Sequence, residues 1–439
     1  MTTNETRAAN VIDDAPMTPF HRRLALFCSG GPLLDGLALG VIGLALPPMT
    51  AEWRLDELWQ GALAASALLG LFAGGFVFGY VTDLVGRKLM YTLDIAAIAI
   101  FSGAQFFVTG PEQLLVLRLL LGVAIGADYP IATSLLAEFA PRRSRATLIG
   151  LQTVMWSAGN ALAYLLGLWV MGFGPDAWRW LLMSPALVAA VLFVLRIGTP
   201  ESPRWLITKG RGGEALAVTR RVYGESADLD GVGERRAPTR FRTVFQGVYL
   251  RRTVFVALFW TCSVTPLYAI YAFAPQILQA LRISDDRASS VAVGGLLLLG
   301  CVVATLVADR MRRRTLLIWP MAVASGCLVL LGVLAQAPPP VILLLAGVYA
   351  LAIGGPTILQ WIYPNEIFPT EIRATAFGIG VAASRIGAVL GTFVVPSLLD
   401  GAGISLTMVL LGAFCGVGVV ASAFLAPETY GRPLNEAAT

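Results

Sequence analysis

Residues 138–150 read EFAPRRSRATLIG, and residues 366–378 read EIFPTEIRATAFG. Six residues are identical at the same spacing in these two stretches, which lie 228 positions apart. A period near half of the chain length indicates two homologous halves rather than a solenoid of short repeats. Other landmarks recur at nearly the same distance: Asp83 with Asp309, Arg87 with Arg313, and Pro200-Glu201-Ser202 with Pro427-Glu428-Thr429.

The composition indicates that each half lies in a bilayer. Hydrophobic residues make up 56% of the 439 positions and charged residues 13%, which excludes an ordinary soluble globule. Because hydrocarbon offers no hydrogen-bond partners to the backbone, these segments should be helical. We therefore predict an all-α integral membrane protein with 12 transmembrane helices in two parallel-repeat six-helix bundles. The predicted spans are 24–46, 58–82, 89–109, 112–137, 146–172, 177–197, 251–280, 288–308, 315–336, 340–363, 374–399 and 402–426.

The positive charges orient this array. Of the 32 Lys and Arg residues, 26 fall in loops on one side, which the positive-inside rule makes cytoplasmic. We expect a multi-pass cell (inner) membrane protein with both termini in the cytoplasm. The net charge of +5 then follows from loop placement and requires no nucleic acid. The predicted divisions are a tail (1–23), an N-terminal bundle (24–197), a cytoplasmic linker with short helices (198–250), a C-terminal bundle (251–426) and a second tail (427–439).

Several functional classes lack their signatures in this chain. Its five cysteines stand singly in apolar spans and its one histidine, His21, precedes them, so neither a metal site nor a disulfide is indicated. There is no GxxxxGK[ST] phosphate loop, and GIGVAA at 378–383 lies inside a span rather than after a strand. We expect no enzyme, no cofactor other than a proton gradient, and no cleaved signal peptide, since the first 20 residues are polar.

Three further motifs resemble those of one family. GYVTDLVGRK (79–88) is similar to the loop between helices 2 and 3 of the major facilitator superfamily. PESPRWL (200–206) and PETYGRPLNE (427–436) resemble its sugar-porter and organic-ion branches. The resemblance implies two six-helix bundles around a central cavity that opens alternately to each side. Thr305 and Arg312 replace the glycines equivalent to Gly79 and Gly86, so the second loop should pack less tightly.

The repeated charged residues fit a conformational latch. Asp83 and Arg87 stand at i, i+4 around a turn at Gly86, where a carboxylate can cap a helix and hold a guanidinium. A solvated loop would explain the basic residues but not the acid, the glycines and their repetition together. We expect Glu138 with Arg145, and Glu366 with Arg373, to offer the same chemistry. The predicted latch comprises Gly79, Asp83, Gly86, Arg87, Glu138, Arg145, Asp309, Arg313, Glu366 and Arg373.

Three charged residues fall near the middle of the predicted spans. Counted at ~1.5 Å per residue from the cytoplasmic ends, Asp35, Asp128 and Arg385 lie ~15–18 Å deep. An ionisable residue at this depth usually faces a cavity and has a function, although a buried pair that only orients two bundles is the alternative. Asp35 and Asp128 belong to the first half and Arg385 to the second, so charge is distributed across the interface that must open.

The short motifs around these three residues resemble motifs of known transporters, and each resemblance implies a role for the charged residue. Asp35 in LLDGLA resembles helix 1 of aromatic acid:proton symporters, although Ala38 replaces their second aspartate. GADYP (126–130) is similar to helix 4 of metabolite:proton symporters, including the phosphate branch, which implies a coupling role for Asp128. SRIG (384–387) resembles helix 11 of organic anion transporters, which implies that Arg385 binds an anion.

Other polar and aromatic residues are candidates for the cavity wall. Gln152, Trp156 and Asn160 share one helix face, where they could line a binding site or pack between helices. Arg118, in RLLLGVAIG, resembles the proton-linked arginine of the superfamily's helix 4; its depth suits an outer gate or an arginine that snorkels to the interface. The predicted substrate-binding residues are Arg385, Tyr129, Gln152, Trp156, Asn160, Tyr268 and Tyr271; the proton-coupling residues are Asp35, Asp128 and Arg118.

These features predict a secondary transporter that takes up a small organic anion, such as an aromatic or aliphatic carboxylate, with protons. The expected partners are this small molecule, protons and membrane lipid, and we expect a monomer. Symport of a sugar or phosphate and efflux by antiport remain alternatives within transport. A nutrient sensor of transporter ancestry is the alternative from a different class.

Overall fold

The structure, a computed structural model, describes residues 11–174, 176–229, 232, 241–272, 286–432 and 434. Every regular element within these ranges is helical. The all-α class predicted from hydropathy is therefore confirmed. Helices suit such apolar segments because each one satisfies its own backbone hydrogen bonds within hydrocarbon.

Seven helices occupy the first half within the described residues. A break at Ser29 separates α1 from α2, which together cover the first predicted span. Each of the next five helices coincides with one predicted span apart from a few terminal residues. They are α1 (Pro19–Cys28), α2 (Gly30–Trp53), α3 (Glu57–Val85), α4 (Arg87–Ala104), α5 (Pro111–Phe139), α6 (Arg145–Val170) and α7 (Ala177–Arg196).

Two short helices, α8 (Pro203–Thr208) and α9 (Gly212–Tyr223), follow in the segment for which the sequence predicted a linker with short helices. The last two predicted spans form two helices that meet at Gly403, whose φ of +77° suits a residue without a Cβ, and we label the two together α14. The helices of the second half are α10 (Gly247–Ala272), α11 (Asp286–Ala308), α12 (Arg313–Val333), α13 (Pro339–Ile367) and α14 (Arg373–Leu425).

The outer surface of this array is apolar. Nine helices in the described part of the chain are long and apolar enough to cross a membrane. Large hydrophobic side chains are exposed over the helices of both halves, as expected for a surface that contacts lipid rather than water. Examples more than 50% exposed are Leu69, Leu93, Ile100, Leu165, Trp169, Leu187, Val194, Trp319, Leu344 and Phe424.

The linker packs against one end of the bundle. Trp205 of α8 donates from its indole nitrogen to the carbonyl of Asp83 at 3.1 Å, and Tyr223 of α9 donates to the carbonyl of Phe139 at 2.8 Å. We call this end the linker side. Inside, one continuous cluster of buried apolar residues extends through both halves and surrounds the polar residues described below.

Candidate functional site

Two side chains from two helices of the first half donate to a buried carboxylate on a third helix. The Tyr129 hydroxyl of α5 and the Trp156 indole nitrogen of α6 both donate to Oδ2 of Asp35 in α2, the latter at 2.8 Å. Asp35 is fully buried, and its other oxygen has no hydrogen-bond partner among the described residues. An unpaired buried acceptor is costly, so this oxygen is suited to receive a ligand donor or a proton.

The second half contributes the opposite charge. Arg385 of α14 donates to the Tyr268 hydroxyl of α10 at 2.7 Å. Its guanidinium lies over the rings of Tyr268 and Tyr129, 5.5 and 5.7 Å from their centroids. Tyr129 thus touches both the arginine and Asp35, which joins the two halves. We call Asp35, Tyr129, Trp156, Tyr268 and Arg385 the central cluster.

The wall around the central cluster contains polar atoms without partners. Both amide atoms of Gln152, the amide oxygen of Asn160 and Nε of Arg385 have none among the described residues. The side chain of Tyr271 lies outside the described part of the chain. Trp361, which the sequence reasoning did not select, packs on Tyr129 with ring centroids 4.6 Å apart. The sequence could not identify Trp361, because an aromatic residue in an apolar span is equally compatible with a cavity wall and with the packed core.

This arrangement can bind a small polar molecule. The arginine can hold a carboxylate or phosphate oxygen, the amides can bind hydroxyl groups, and the aromatic rings can pack against a flat or sugar ring. The described residues include no group of three or more His, Cys, Asp or Glu side chains that could hold a metal ion.

Asp128 lies next to the central cluster but pairs with other residues. Its Oδ1 accepts from Arg196 of α7 at 2.7 Å, and the same arginine reaches Asp94 of α4 at 3.3 Å. The sequence reasoning missed both partners. Arg196 stands at the end of a predicted span, where an arginine is expected to belong to the loop. Asp94 could have been selected by the criterion that selected Asp35, because it is an acid within an apolar span.

Arg118 is fully buried and does not snorkel. Its Nε donates to the carbonyl of Leu63 at 3.2 Å, and no carboxylate among the described residues pairs with it. The snorkelling alternative left open by the sequence is therefore wrong. Its Nη2 has no hydrogen-bond partner among the described residues, so this buried cation retains donors that other groups could occupy.

The first interface cluster, formed by Asp83, Arg87, Glu138 and Arg373, joins the halves on the linker side. Asp83 accepts from the backbone nitrogen and the hydroxyl of Thr375, both at 2.7 Å, and so caps the first turn of α14. Arg87 donates to Asp83 at 2.8 Å and to Glu138 at 3.1 Å, and Arg373 donates to Glu138 at 3.0 Å.

Two glycines permit the close approach in this cluster. Gly86 has a φ of +120° at the turn between α3 and α4, which a residue with a Cβ rarely adopts. A Cβ at Gly79 would lie 2.6 Å from the carbonyl oxygen of Ala374, too close for α3 to contact α14 as it does.

The second interface cluster, formed by Asp309, Arg313, Glu366 and Arg145, has the repeated residues in a looser arrangement. Asp309 accepts from the backbone nitrogens of Ala146 and Thr147 at 3.0 and 2.8 Å, and so caps α6. Arg313 pairs with Glu366 at 3.0 Å but lies 3.9 Å from Asp309. Burial raises the pKa of Asp309 above its usual value, although the donors of Thr147 and Arg313 oppose the shift.

The expected pairs Glu138–Arg145 and Glu366–Arg373 are wrong. Glu138 accepts from arginines of both halves, as above, and Arg145 pairs instead with Asp13 of the N-terminal segment, which also pairs with Arg204 at 3.0 Å. Burial alone would raise the pKa of Asp13, but Arg204 and Arg145 hold it below its usual value. Sequence spacing could not distinguish among arginines that reach the same depth.

Comparison with known proteins supplies independent information. A family profile described as "Sugar (and other) transporter" matches residues 25–439. The chain is 37% identical over 423 residues to the inner membrane metabolite transport protein YgcS of Escherichia coli (strain K12), covering 96% of this chain and 95% of that one. It is 28% identical over 422 residues to a gallate transporter of Pseudomonas putida, covering 91% of each. The solved structure of the proton:xylose symporter XylE bound to 6-bromo-6-deoxy-D-glucose matches with a TM-score of 0.81 at 22% identity, over 95% of this chain and 98% of that one, which shows a shared fold.

Proposed function

The chain belongs to the sugar (and other) transporter family of the major facilitator superfamily, and from this premise we propose that it takes up a small organic anion together with protons. The superfamily predicted from the motifs is thereby confirmed, and the protein is a transporter rather than an enzyme. It works as a monomer in the bacterial inner membrane, with the linker side in the cytoplasm.

The environment of Arg385 is the main observation that supports an anionic substrate. It is 5% exposed, its guanidinium contacts Tyr268 and Tyr129, and its Nε has no hydrogen-bond partner among the described residues. A buried guanidinium is stabilised when an anion binds beside it, and a carboxylate fits its planar donors. Tyr129, Trp156 and Trp361 supply rings for an aromatic acid, which agrees with the resemblance to a gallate transporter.

The interface clusters act as the latch of the proposed transport cycle. Asp83 and Asp309 each cap a helix of the opposite half, so the halves are held together on the linker side in this conformation. Opening toward the cytoplasm requires these caps and the Glu138–Arg373 pair to break. The central cluster lies beyond them and bridges the two halves, as alternating access requires.

Asp35 and Asp128 are the proton-linked acids of this proposal, and Arg118 is a gate residue. A substrate anion that binds Arg385 changes the charge beside Tyr129, which donates to Asp35. Protonation of Asp35 and occupation of Arg385 therefore favour each other electrostatically.

Symport of a sugar is the second candidate, and the unpaired amides of Gln152 and Asn160 favour it. Amides can donate to and accept from hydroxyl groups, and they lie on the same helix as Trp156, whose ring could pack on a sugar face. A phenolic acid with hydroxyl groups would use both the arginine and the amides.

Uptake into proteoliposomes tests the proposal. Gallate, benzoate, xylose and inorganic phosphate would be supplied with and without an imposed inward proton gradient. We expect accumulation of an aromatic acid only with the gradient, and its loss with a protonophore. Uptake of xylose alone would overturn the anionic substrate, and uptake that ignores the gradient would overturn symport.

A matched pair of variants tests Arg385. Arg385→Lys keeps the charge but loses the planar donors, whereas Arg385→Ala loses both. We expect the substrate KM to rise modestly in the first and strongly in the second, because charge makes the larger contribution. An anionic substrate transported by Arg385→Ala at unchanged KM would contradict the carboxylate assignment.

A further inference from the structure

Three charged side chains form a second buried site next to the central cluster. Asp94 of α4, Asp128 of α5 and Arg196 of α7 are 5%, 0% and 1% exposed. Arg196 bridges the two acids through Nη1, at 2.7 Å to Asp128 and 3.3 Å to Asp94. The Oδ2 atoms of both acids are buried without a partner among the described residues.

The other described residues in contact with Arg196 do not balance the charge of this site. Arg196 stacks 3.8 Å from the ring centroid of Tyr91 and donates to the carbonyls of Tyr91 and Phe27. The Tyr91 hydroxyl in turn donates to Cys28 of α1. The two carbonyls carry no charge, and the Tyr91 hydroxyl and Cys28 thiol are neutral when protonated. The guanidinium of Arg196 is therefore the cation that the two carboxylates share.

Electrostatics then requires a proton. If both acids were ionised, the site would bury one uncompensated negative charge, which is expensive in a medium of low dielectric. One proton makes the site neutral, as in other paired carboxylates that titrate together. Arg196 stabilises the carboxylate that stays ionised.

We infer that Asp94 and Asp128 form an acid pair that binds one proton, and that Asp94 is a coupling residue of the transporter. The inference rests on the proposed proton symport and adds Asp94 and Arg196 to it. It places a proton site on the first half alone, separate from the substrate.

Two helices connect this pair to the central cluster. Asp128 directly precedes Tyr129, which donates to Asp35 and lies against Arg385. A Cβ at Gly31 of α2 would overlap the Asp128 carboxylate, and Asp35 follows Gly31 by one helical turn. A change in protonation that shifts the Asp128 side chain therefore acts on α5 and α2, both of which position the substrate contacts.

Infrared difference spectroscopy of the purified protein at neutral pH tests proton binding without any substrate. We expect the wild-type spectrum minus that of Asp94→Asn, or minus that of Asp128→Asn, to contain one C=O band of a protonated carboxyl group, because Arg196 balances the acid that remains in each variant. Glu112→Gln, which removes an exposed acid at the start of α5, is the matched control and should keep the band. A band unchanged in both variants would overturn the acid pair.

Transport tests the coupling role. In proteoliposomes with an inward gradient of ~1 pH unit, one coupled proton supports about tenfold accumulation of gallate or xylose. We expect Asp94→Asn to lose this accumulation but to keep exchange of labelled for unlabelled substrate. Full accumulation by Asp94→Asn would overturn its coupling role. If wild-type protein shows the band but no proton-driven uptake of either probe, the proposed symport fails while the acid pair stands.

Discussion

The two interface clusters descend from one repeated motif but differ in how they bind the halves together. Each cluster uses an aspartate to cap a helix of the opposite half, and each has an Arg–Glu pair beside it. Within the part of the chain that the structure describes, only the first cluster adds an ion pair between the halves, Arg373 with Glu138. In the second, the equivalent Arg145 pairs with Asp13 of its own half. The repeat therefore preserves the caps, whereas the additional charge pairing is asymmetric.

The packing of the two loops agrees with this asymmetry. The Asp83–Arg87 pair is 2.8 Å long and fully buried, but the Asp309–Arg313 pair measures 3.9 Å and leaves the aspartate 12% exposed. Thr305 and Arg312 stand where the first loop has Gly79 and Gly86, so the second loop cannot approach its partner as closely. The sequence-based expectation of looser packing is met.

The comparison is tested most strongly by Glu138→Gln. Glu138 serves Arg87 and Arg373, all three fully buried, and breaking a buried pair costs about 3–5 kcal/mol. Glu366→Gln should cost less, because Glu366 forms an ion pair with a single arginine, Arg313, among the described residues. Hydrogen exchange at the amides of Thr375 and Thr147, which the two aspartates hold, measures the opening. If hydrogen exchange accelerated equally at Thr375 in Glu138→Gln and at Thr147 in Glu366→Gln, the two clusters would not differ in strength as proposed.

The N-terminal segment provides the next prediction. Asp13→Asn weakens two charge-assisted hydrogen bonds to Arg145 and Arg204, each worth roughly 1.5–3 kcal/mol. We expect residues 11–14 to become sensitive to protease. Asp14→Asn is the control, since Asp14 is half exposed and its 3.6 Å pair with Arg142 should contribute little. Equal protection of residues 11–14 in both variants would contradict a stabilising role for the pairs of Asp13 with Arg145 and Arg204.

Asp83→Asn and Asp309→Asn compare the caps directly. Asparagine retains one capping oxygen but puts an amide nitrogen in place of the other. In Asp83→Asn this also weakens the 2.8 Å charge-assisted hydrogen bond from Arg87, worth about 1.5–3 kcal/mol, whereas Asp309 lies 3.9 Å from Arg313. We therefore expect the larger loss of thermal stability in Asp83→Asn. A larger loss in Asp309→Asn would reverse the ranking of the two clusters.

The smallest expected effect is a dependence of linker-side opening on pH. Burial raises the pKa of Asp309 when the linker side is closed, and exposure on opening returns it to its usual value. The closed form therefore binds the proton more tightly and gains population as pH falls through the raised pKa. Hydrogen exchange at Thr147 should slow over that interval in wild-type protein, after correction for the intrinsic exchange rate. The same slowing in Asp309→Asn would assign the effect to another group.

Sequence reasoning predicted the fold and part of the site, for identifiable reasons. Charges deep in apolar spans are rare, so Asp35 and Arg385 could be selected by depth alone, and both lie in the central cluster. Which arginine binds which acid depends on the rotation of each helix, and hydropathy does not encode that rotation. Asp128 was therefore predicted without Arg196, and Asp13 was read as part of a polar tail.

Movement of protons with substrate is the central claim, and the pH inside proteoliposomes measures it most directly. With an enclosed fluorescent pH indicator and no imposed gradient, gallate is added outside at a fixed external pH. We predict that the lumen acidifies as labelled gallate enters, and that Arg385→Ala abolishes both signals. Entry of gallate through the wild-type protein without acidification would contradict proton-coupled symport.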